Sequence, residues 1–375
     1  MKKNEYFIYL NQKDGNKAVK EISLEIKAKF KTNPSFIFIL FTPGYDPKDL
    51  SRIFNLTLNN PNLFAVQAPL LIYKNKIIEK GIISCCINKK DTQVNSLFIG
   101  SQDSEKIEYI LKKYFREIKR KNIKFISFLS SQIDYLSFLK GLKFSLGKLI
   151  NFSGAGYQNK YSPRESFILK KGIGNGLISL ILEGINTDTL HLQNFIPFGK
   201  PFEITKLNPK QQIIYEINNR PAVEIYKYYF EEKFNNFVKN RLFSCYPLGI
   251  SAKNYFRILT IVDILEDGSL LFKGSLQNKT QVHLMALRDS YSKEDLVGKL
   301  AKTKQDEEGP VFIINSLERK KMLGKKAEKE IENIEELFSP KKEIFGIYSD
   351  YYLFPDEETK NINIESGGLL LNVWE

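Results

Sequence analysis

The sequence predicts an α/β protein of two packed halves, each a mixed β-sheet with covering helices. Three observations carry this. Apolar runs of strand length alternate along the chain with segments of helical periodicity. Several strand pairs are joined by short turn-forming connections, so antiparallel pairing accompanies parallel crossovers. At 375 residues the chain is long enough for two full cores, and no apolar run approaches the ~20 residues that cross a bilayer.

The elements follow in order. Residues 5–12 alternate as a strand. Val19, Ile22, Ile26 and Phe30 set an amphipathic helix over 16–31. Residues 35–41, SFIFILF, form a continuous apolar run and predict a strand covered on both faces. Asp46 and Pro47 begin the next helix as N-cap and first helical residue. Strands near 63–72 and 77–88 flank the turn YKNK. A basic helix through 111–124 leads into the strand KFISFLS, and a helix near 132–140 is expected to stop at Gly141. LGKLINF reads as a short strand ending in a small-residue turn, Ser153-Gly154-Ala155-Gly156. Gly172 to Gly176 reads as a hairpin connection between FILKK and LISLILE. Strands TLHLQNF, PFEITKL and QIIYEIN precede a helix opened by Pro221. Glu266-Asp267-Gly268 turns a hairpin between NYFRILTIVDIL and SLLFKGSL. TQVHLMAL, a helix near 292–303, a polar linker at 305–309, PVFIINS, a charged helix KKAEKEIENIEELF, and the strands KEIFGIYSDYYLF and GGLLLNVW complete the chain. The domain boundary is placed at 214/215, giving units 1–214 and 215–375.

Composition restricts the function. The net charge of +13 comes mainly from lysine and reads as a solvated basic surface. In the most basic helix, Ile107, Ile110, Leu111, Tyr114 and Ile118 share one face, so its aromatic residue belongs to the core and not to a nucleic-acid stacking platform. No specific nucleic-acid partner and no membrane insertion are expected. Residues 1–12 lack the long apolar segment and cleavage site of a signal peptide. Cys85, Cys86 and Cys245 make no disulfide framework, and a cytoplasmic location is expected. Catalytic motifs are missing as well. The glycines at 172–176 lie between strand-like runs, and Gly154-Ala155-Gly156 is not followed by a helix start, so neither reads as a phosphate cradle. His191 and His283 have no metal-ligand partners at helical spacing, and no HExxH or GxSxG stretch occurs. The chain is expected not to be an enzyme.

Several short segments, taken in order, resemble the FIST family of sensory and signal-transduction proteins. FILFTPGYDPKDLSRIF, with Asp46, resembles that family's first strand, loop and helix. Ser153-Gly154-Ala155-Gly156 stands where the family has a glycine-alanine turn. Ile196-Pro197-Phe198-Gly199-Lys200-Pro201 resembles its P-x-G segment. Glu216-Ile217-Asn218-Asn219-Arg220-Pro221-Ala222 with Tyr226 resembles its E-L-D-G-x-P-A-x-x-Y segment. Pro247 to Ile250, Arg257 and Asp267 to Leu270 follow in family order. Three later loops depart from the pattern. Ser316 replaces a cysteine near the retained Arg319, Tyr351-Tyr352 replace glycine-glutamate after Gly346-Ile347-Tyr348-Ser349, and Asn363-Ile364-Glu365-Ser366 keeps only the hydroxyl residue.

The resemblance implies a FIST N-like domain followed by a FIST C-like domain. It implies a non-enzymatic sensor of a small ligand such as an amino acid, read by a separate kinase, cyclic-nucleotide enzyme or chemoreceptor. Its candidate ligand-binding residues are Gly154, Gly156, Pro197, Gly199, Arg319, Tyr348, Ser349 and Ser366, with Arg319 suited to a carboxylate. The cofactor is unknown. Haem, with His191 or His283 as axial ligand, is one alternative. The other is an interaction protein that has lost ligand binding.

Overall fold

A computed structural model describes residues 5–30, 32–88, 93–117, 123–146, 150–157, 167–169, 172–185, 187–252, 255–274, 276–300, 309–355 and 362–374. It is a mixed α/β structure in which three mixed sheets pack together and a closed antiparallel barrel leans on them.

The first sheet runs in the order Glu5–Asn11, Ile82–Asn88, Phe36–Phe41, Leu63–Gln67, Phe167–Leu169, Gly172–Gly174. Its one parallel pair, Phe36–Phe41 with Leu63–Gln67, is connected through the helix Pro47–Leu58. The Asp46 side chain accepts a hydrogen bond from the Lys48 backbone N–H (2.7 Å), as its N-cap position predicts. The all-apolar strand is buried on both faces. Ile37, Ile39 and Phe41 meet the helices Gly15–Lys29 and Pro47–Leu58, while Phe36, Phe38 and Leu40 enter the central core.

The second sheet is ordered Ile362–Glu365, Tyr351–Pro355, Ile150–Gly156, Ile123–Leu129, Gly176–Glu183, Gln93–Gly100. The third is Thr187–Leu192, Leu369–Trp374, Val311–Ser316, Ile344–Ser349, Leu70–Tyr73, Lys76–Ile78. All three sheets contribute to the central core. There Phe38 lies 5.4 Å from both Phe64 and Phe312 and 6.0 Å from Phe345, near edge-on in each case. Such aromatic pairs add stability beyond simple area burial. The second and third sheets each draw strands from both sides of residue 214.

The fourth sheet is ordered Phe195–Asn208, Gln281–Leu287, Leu248–Ser251, Phe256–Ile264, Leu270–Lys273, Ile213–Ile217, with the short Arg220–Pro221 strand beyond. The long Phe195–Asn208 strand pairs with Gln281–Leu287 through its first part and with Ile213–Ile217 through its last, which closes the barrel. A bulged, long strand is the usual way to turn such a corner.

Several sequence expectations change. Residues 77–88 are two strands, Lys76–Ile78 of the third sheet and Ile82–Asn88 of the first. Residues 63–72 are two strands of different sheets, because the chain leaves the first sheet after Gln67 and enters the third at Leu70. Gly141 does not stop its helix, which runs Tyr135–Leu146. A side chain there would meet Leu111 Cδ1 at 2.7 Å and Glu108 Cα at 3.1 Å, so glycine instead lets this helix cross Ile107–Glu117 closely. Ser153 to Gly156 lie within a strand and not in a turn. Gly172–Gly174 is itself a strand paired with Phe167–Leu169. Arg220–Pro221 is a strand pair, and the helix begins at Glu224. The helix Leu317–Leu323 was not predicted.

Candidate functional site

The second and third sheets meet the barrel at a buried polar cluster around Arg319. The Asn315-Ser316 end of the Val311–Ser316 strand turns directly into the helix Leu317–Leu323, which carries Arg319 inward. Its Nε donates to Glu330 Oε2 (2.8 Å) and its second terminal nitrogen to Glu330 Oε1 (2.5 Å). Its first terminal nitrogen donates to Asn194 Oδ1 and to the Gly367 carbonyl, both at 3.0 Å. The guanidinium lies 5.1 Å from the Tyr291 ring centroid, and both charged side chains are fully buried. Burial opposes its charge, and the Glu330 carboxylate outweighs that, so its pKa is raised. Glu330 also accepts the Tyr291 backbone N–H (2.9 Å).

A second set of contacts joins this pair on the sheet side. Glu365, wholly buried, accepts the Ile258 N–H from the barrel (3.2 Å), while its other oxygen lies 3.3 Å from His191 Nε2 and 3.5 Å from Tyr352 Oη. His191 Nε2 is 3.0 Å from the same Tyr352 hydroxyl, and its ring stacks on Phe354 at 3.8 Å. Ser366 Oγ meets Thr260 Oγ1 of the barrel at 3.2 Å. Ser316 Oγ accepts the Gly367 N–H (2.9 Å) and donates to Glu318 (3.1 Å). Every one of these groups takes its partner from the chain itself.

The candidate residues fall into two places. Gly154 and Gly156 lie opposite Leu353 and Tyr351 on the neighbouring strand. A Cβ on Gly156 would stand 2.1 Å from the Tyr351 ring, and one on Gly154 would stand 3.0 Å from Leu353, so these side chains fill the space the glycines leave. Lys273 Nζ of the barrel lies 4.0 Å from the Tyr351 ring centroid. Ser349 Oγ donates to the Tyr351 carbonyl (2.9 Å), and Tyr348 Oη accepts from Asn315 (3.4 Å). Arg319 and Ser366 belong to the buried cluster itself, and the strand that faces Gly154 and Gly156 reaches it through Tyr352. Pro197 and Gly199 lie elsewhere, on the barrel strand. Pro197 is opposite Met285, and Gly199, at φ 79°, lies beneath the Tyr229 hydroxyl. Of the histidines proposed for haem, His191 has Nε2 engaged as above, so reaching an iron through that nitrogen would break both of its contacts. His283 packs edge-on against Phe256, with Nδ1 buried and without a hydrogen-bond partner among the described residues.

Sequence reasoning did not find Glu330 or Asn194, and it named Tyr352 and Glu365 only as departures from a family pattern. One signal was available for Glu330. It lies on the helix face set by Ala327, Ile331, Ile334 and Phe338, and a carboxylate within an apolar stripe requires a buried partner.

Glu318, half-buried at the start of its helix, has a pKa raised to about 7 by burial and by neighbouring Asp350. The folded state therefore holds this proton more tightly than the unfolded chain between the ordinary 4.5 and about 7. Stability contributed by this group falls as pH rises through that window, and the penalty is complete above it. Glu318→Gln should abolish this slope and stabilise the protein at pH 8 by about 1–2 kcal/mol, allowing for its partial exposure. Urea melts at pH 5 and pH 8 measure it. Equal gains at both pH values would contradict the assignment.

No helix among the described residues is long and apolar enough to cross a membrane. Residues 222–350 match the family model of the FIST C domain, a domain of a sensory and signal-transduction family. This stretch contains Arg319, Glu330, Tyr348 and Ser349. A FIST N domain was not detected in the first half. A search of curated proteins found no match.

Proposed function

From the FIST C match over residues 222–350, we propose that this chain is a non-enzymatic signal-transduction protein that works through protein contacts, its ligand-binding region being filled by its own side chains. The observation that carries this reading is the Tyr351 ring lying against Gly156, in the place a Cβ would need. The Glu330 carboxylate supports it, since it already takes two Arg319 donors. A small acid entering there would have to displace a buried ion pair, at a cost of several kcal/mol. A separate signalling protein, of the kinase, cyclic-nucleotide-enzyme or chemoreceptor kind, would read the chain.

Thermal melts of the protein with each of the twenty amino acids at 10 mM test this. A ligand present at a hundredfold excess over its Kd stabilises by about 2.7 kcal/mol, which displaces the melt by several degrees. The expected result is no displacement. A reproducible rise with any one amino acid, lost in Arg319→Lys, would return the chain to the small-ligand sensors.

A further inference from the structure

An open groove of about 710 Å³ lies on the outer side of the barrel, where the chain turns between the helices Glu224–Phe230 and Phe234–Lys239. Its floor and walls include Phe230, Phe237 and Tyr246, and its rim includes Glu231, Glu232 and Lys233. Phe230 stacks on Phe237 at 4.1 Å and meets Tyr246 edge-on at 4.9 Å. The aromatic surface continues beyond the groove. Tyr229 lies 5.0 Å from Phe198 and 5.1 Å from Tyr228, and those two are 48% and 72% exposed. Large exposed aromatic residues in contact with one another mark interaction surfaces.

The charges at this place state what it suits. Glu231 and Glu232 have no ion pair among the described residues, and together with Lys233 they leave the rim net negative on a chain whose total is +13. Neighbouring rings already carry cations of the chain itself. Lys227 lies 5.8 Å from the Phe234 centroid and Arg241 5.2 Å from that of Phe243. No cation of the described chain covers Phe230 or Tyr246. Aromatic faces beside free carboxylates suit a cation, and a flat guanidinium suits them best, because it stacks and bonds a carboxylate bidentately.

We infer that this groove is the docking site for an arginine-bearing segment of a partner protein. The groove is open, and its apolar surface runs on to Phe198 and Tyr228, so the occupant is longer than one small ion. A second copy of this chain is less suited, because two like-charged acidic rims would face one another in a symmetric pair. The inference rests on the reading of the chain as one that signals through protein contacts. The amino-acid melts above decide that reading without reference to this groove.

The test titrates the full chain into a fluorescein-labelled peptide, Gly-Ser-Leu-Arg-Ser-Phe-Arg-Ser-Gly, and into its counterpart with citrulline at both arginines. The arginine peptide should bind at least about tenfold more tightly, and more weakly as salt rises. The double variant E231Q/E232Q keeps the groove's shape. It should reduce that preference about tenfold, leave citrulline-peptide binding unchanged, and melt with the parent. Equal binding of the two peptides, no binding at about 1 mM, or an unchanged preference in the variant would overturn the inference. So would tetramethylammonium competing as well as the arginine peptide, which would assign the groove to a small cation. Self-association in sedimentation that the variant abolishes would assign it to a second copy.

Discussion

Arg319→Leu is expected to lower the free energy of unfolding by about 3–5 kcal/mol, because it strands the Glu330 carboxylate inside the protein. Both side chains are fully buried, and Glu330 reaches no solvent that could take over. Glu330→Leu should cost a similar amount by leaving the guanidinium unpaired. The double variant R319L/E330L should recover much of the loss, since neither charge is then buried alone. Recovery will be incomplete. Asn194 Oδ1, the Gly367 carbonyl and the Tyr291 N–H each lose a hydrogen bond, and an unmet buried polar group costs about 1–3 kcal/mol. Denaturant melts of the three variants check this. An arginine held ready for a ligand would be dispensable for folding, so an R319L loss below about 0.5 kcal/mol would remove the structural assignment.

Gly156→Ala is expected to destabilise by about 1–3 kcal/mol through overpacking against Tyr351. The cause is the 2.1 Å approach of a Cβ to a ring that is itself buried, with Lys273 Nζ 4.0 Å from its centroid. Tyr351→Ala should cost about 3–5 kcal/mol as a large-to-small core change. In the double variant the alanine at 156 enters the space the ring has left. Its loss should fall short of the summed single losses by at least about 1 kcal/mol. Urea melts with unchanged m values give the three numbers. Additivity within about 0.5 kcal/mol would mean that Tyr351 does not occupy the space above Gly156.

The elements that sequence revealed are those fixed by neighbours in the chain. Asp46 and Pro47 define a helix start within three residues, and SFIFILF announces a strand with both faces covered. The failures are positions whose role is set from far away. Gly141 looks like a helix stop until Leu111 and Glu108 are placed across from it. KEIFGIYSDYYLF reads as one strand, yet the chain changes sheets at Asp350, so that Tyr348 pairs with Leu70 and Tyr351 with Gly156. Lys124 ends the basic helix expected over 111–124 and begins the expected strand KFISFLS, yet it lies within the strand Ile123–Leu129. It is buried, bonded to Asn151 and Thr189, and burial pulls its pKa well down. The candidate site divides in the same way. The residue types of Gly154, Gly156, Arg319, Tyr348, Ser349 and Ser366 were legible from a family pattern. Their pairing with Glu330, Glu365 and Tyr352 was not, because each of these partners is brought in by a different element.

The interleaving of the sheets also sets an order on how the protein is made. The Leu70–Tyr73 strand pairs with Ile344–Ser349, and Ile150–Gly156 pairs with Tyr351–Pro355. At about 5–20 residues per second, the first of these partners leaves the ribosome roughly 15–55 s after the strand that awaits it. Until then Leu71 and Ile72 lack the neighbours that bury them, and the central core lacks Phe345, Tyr352, Phe354 and Trp374. A chain whose synthesis halts before Ile344 therefore carries open sheet edges and an incomplete aromatic core. Such a fragment is the kind that chaperones hold and proteases remove.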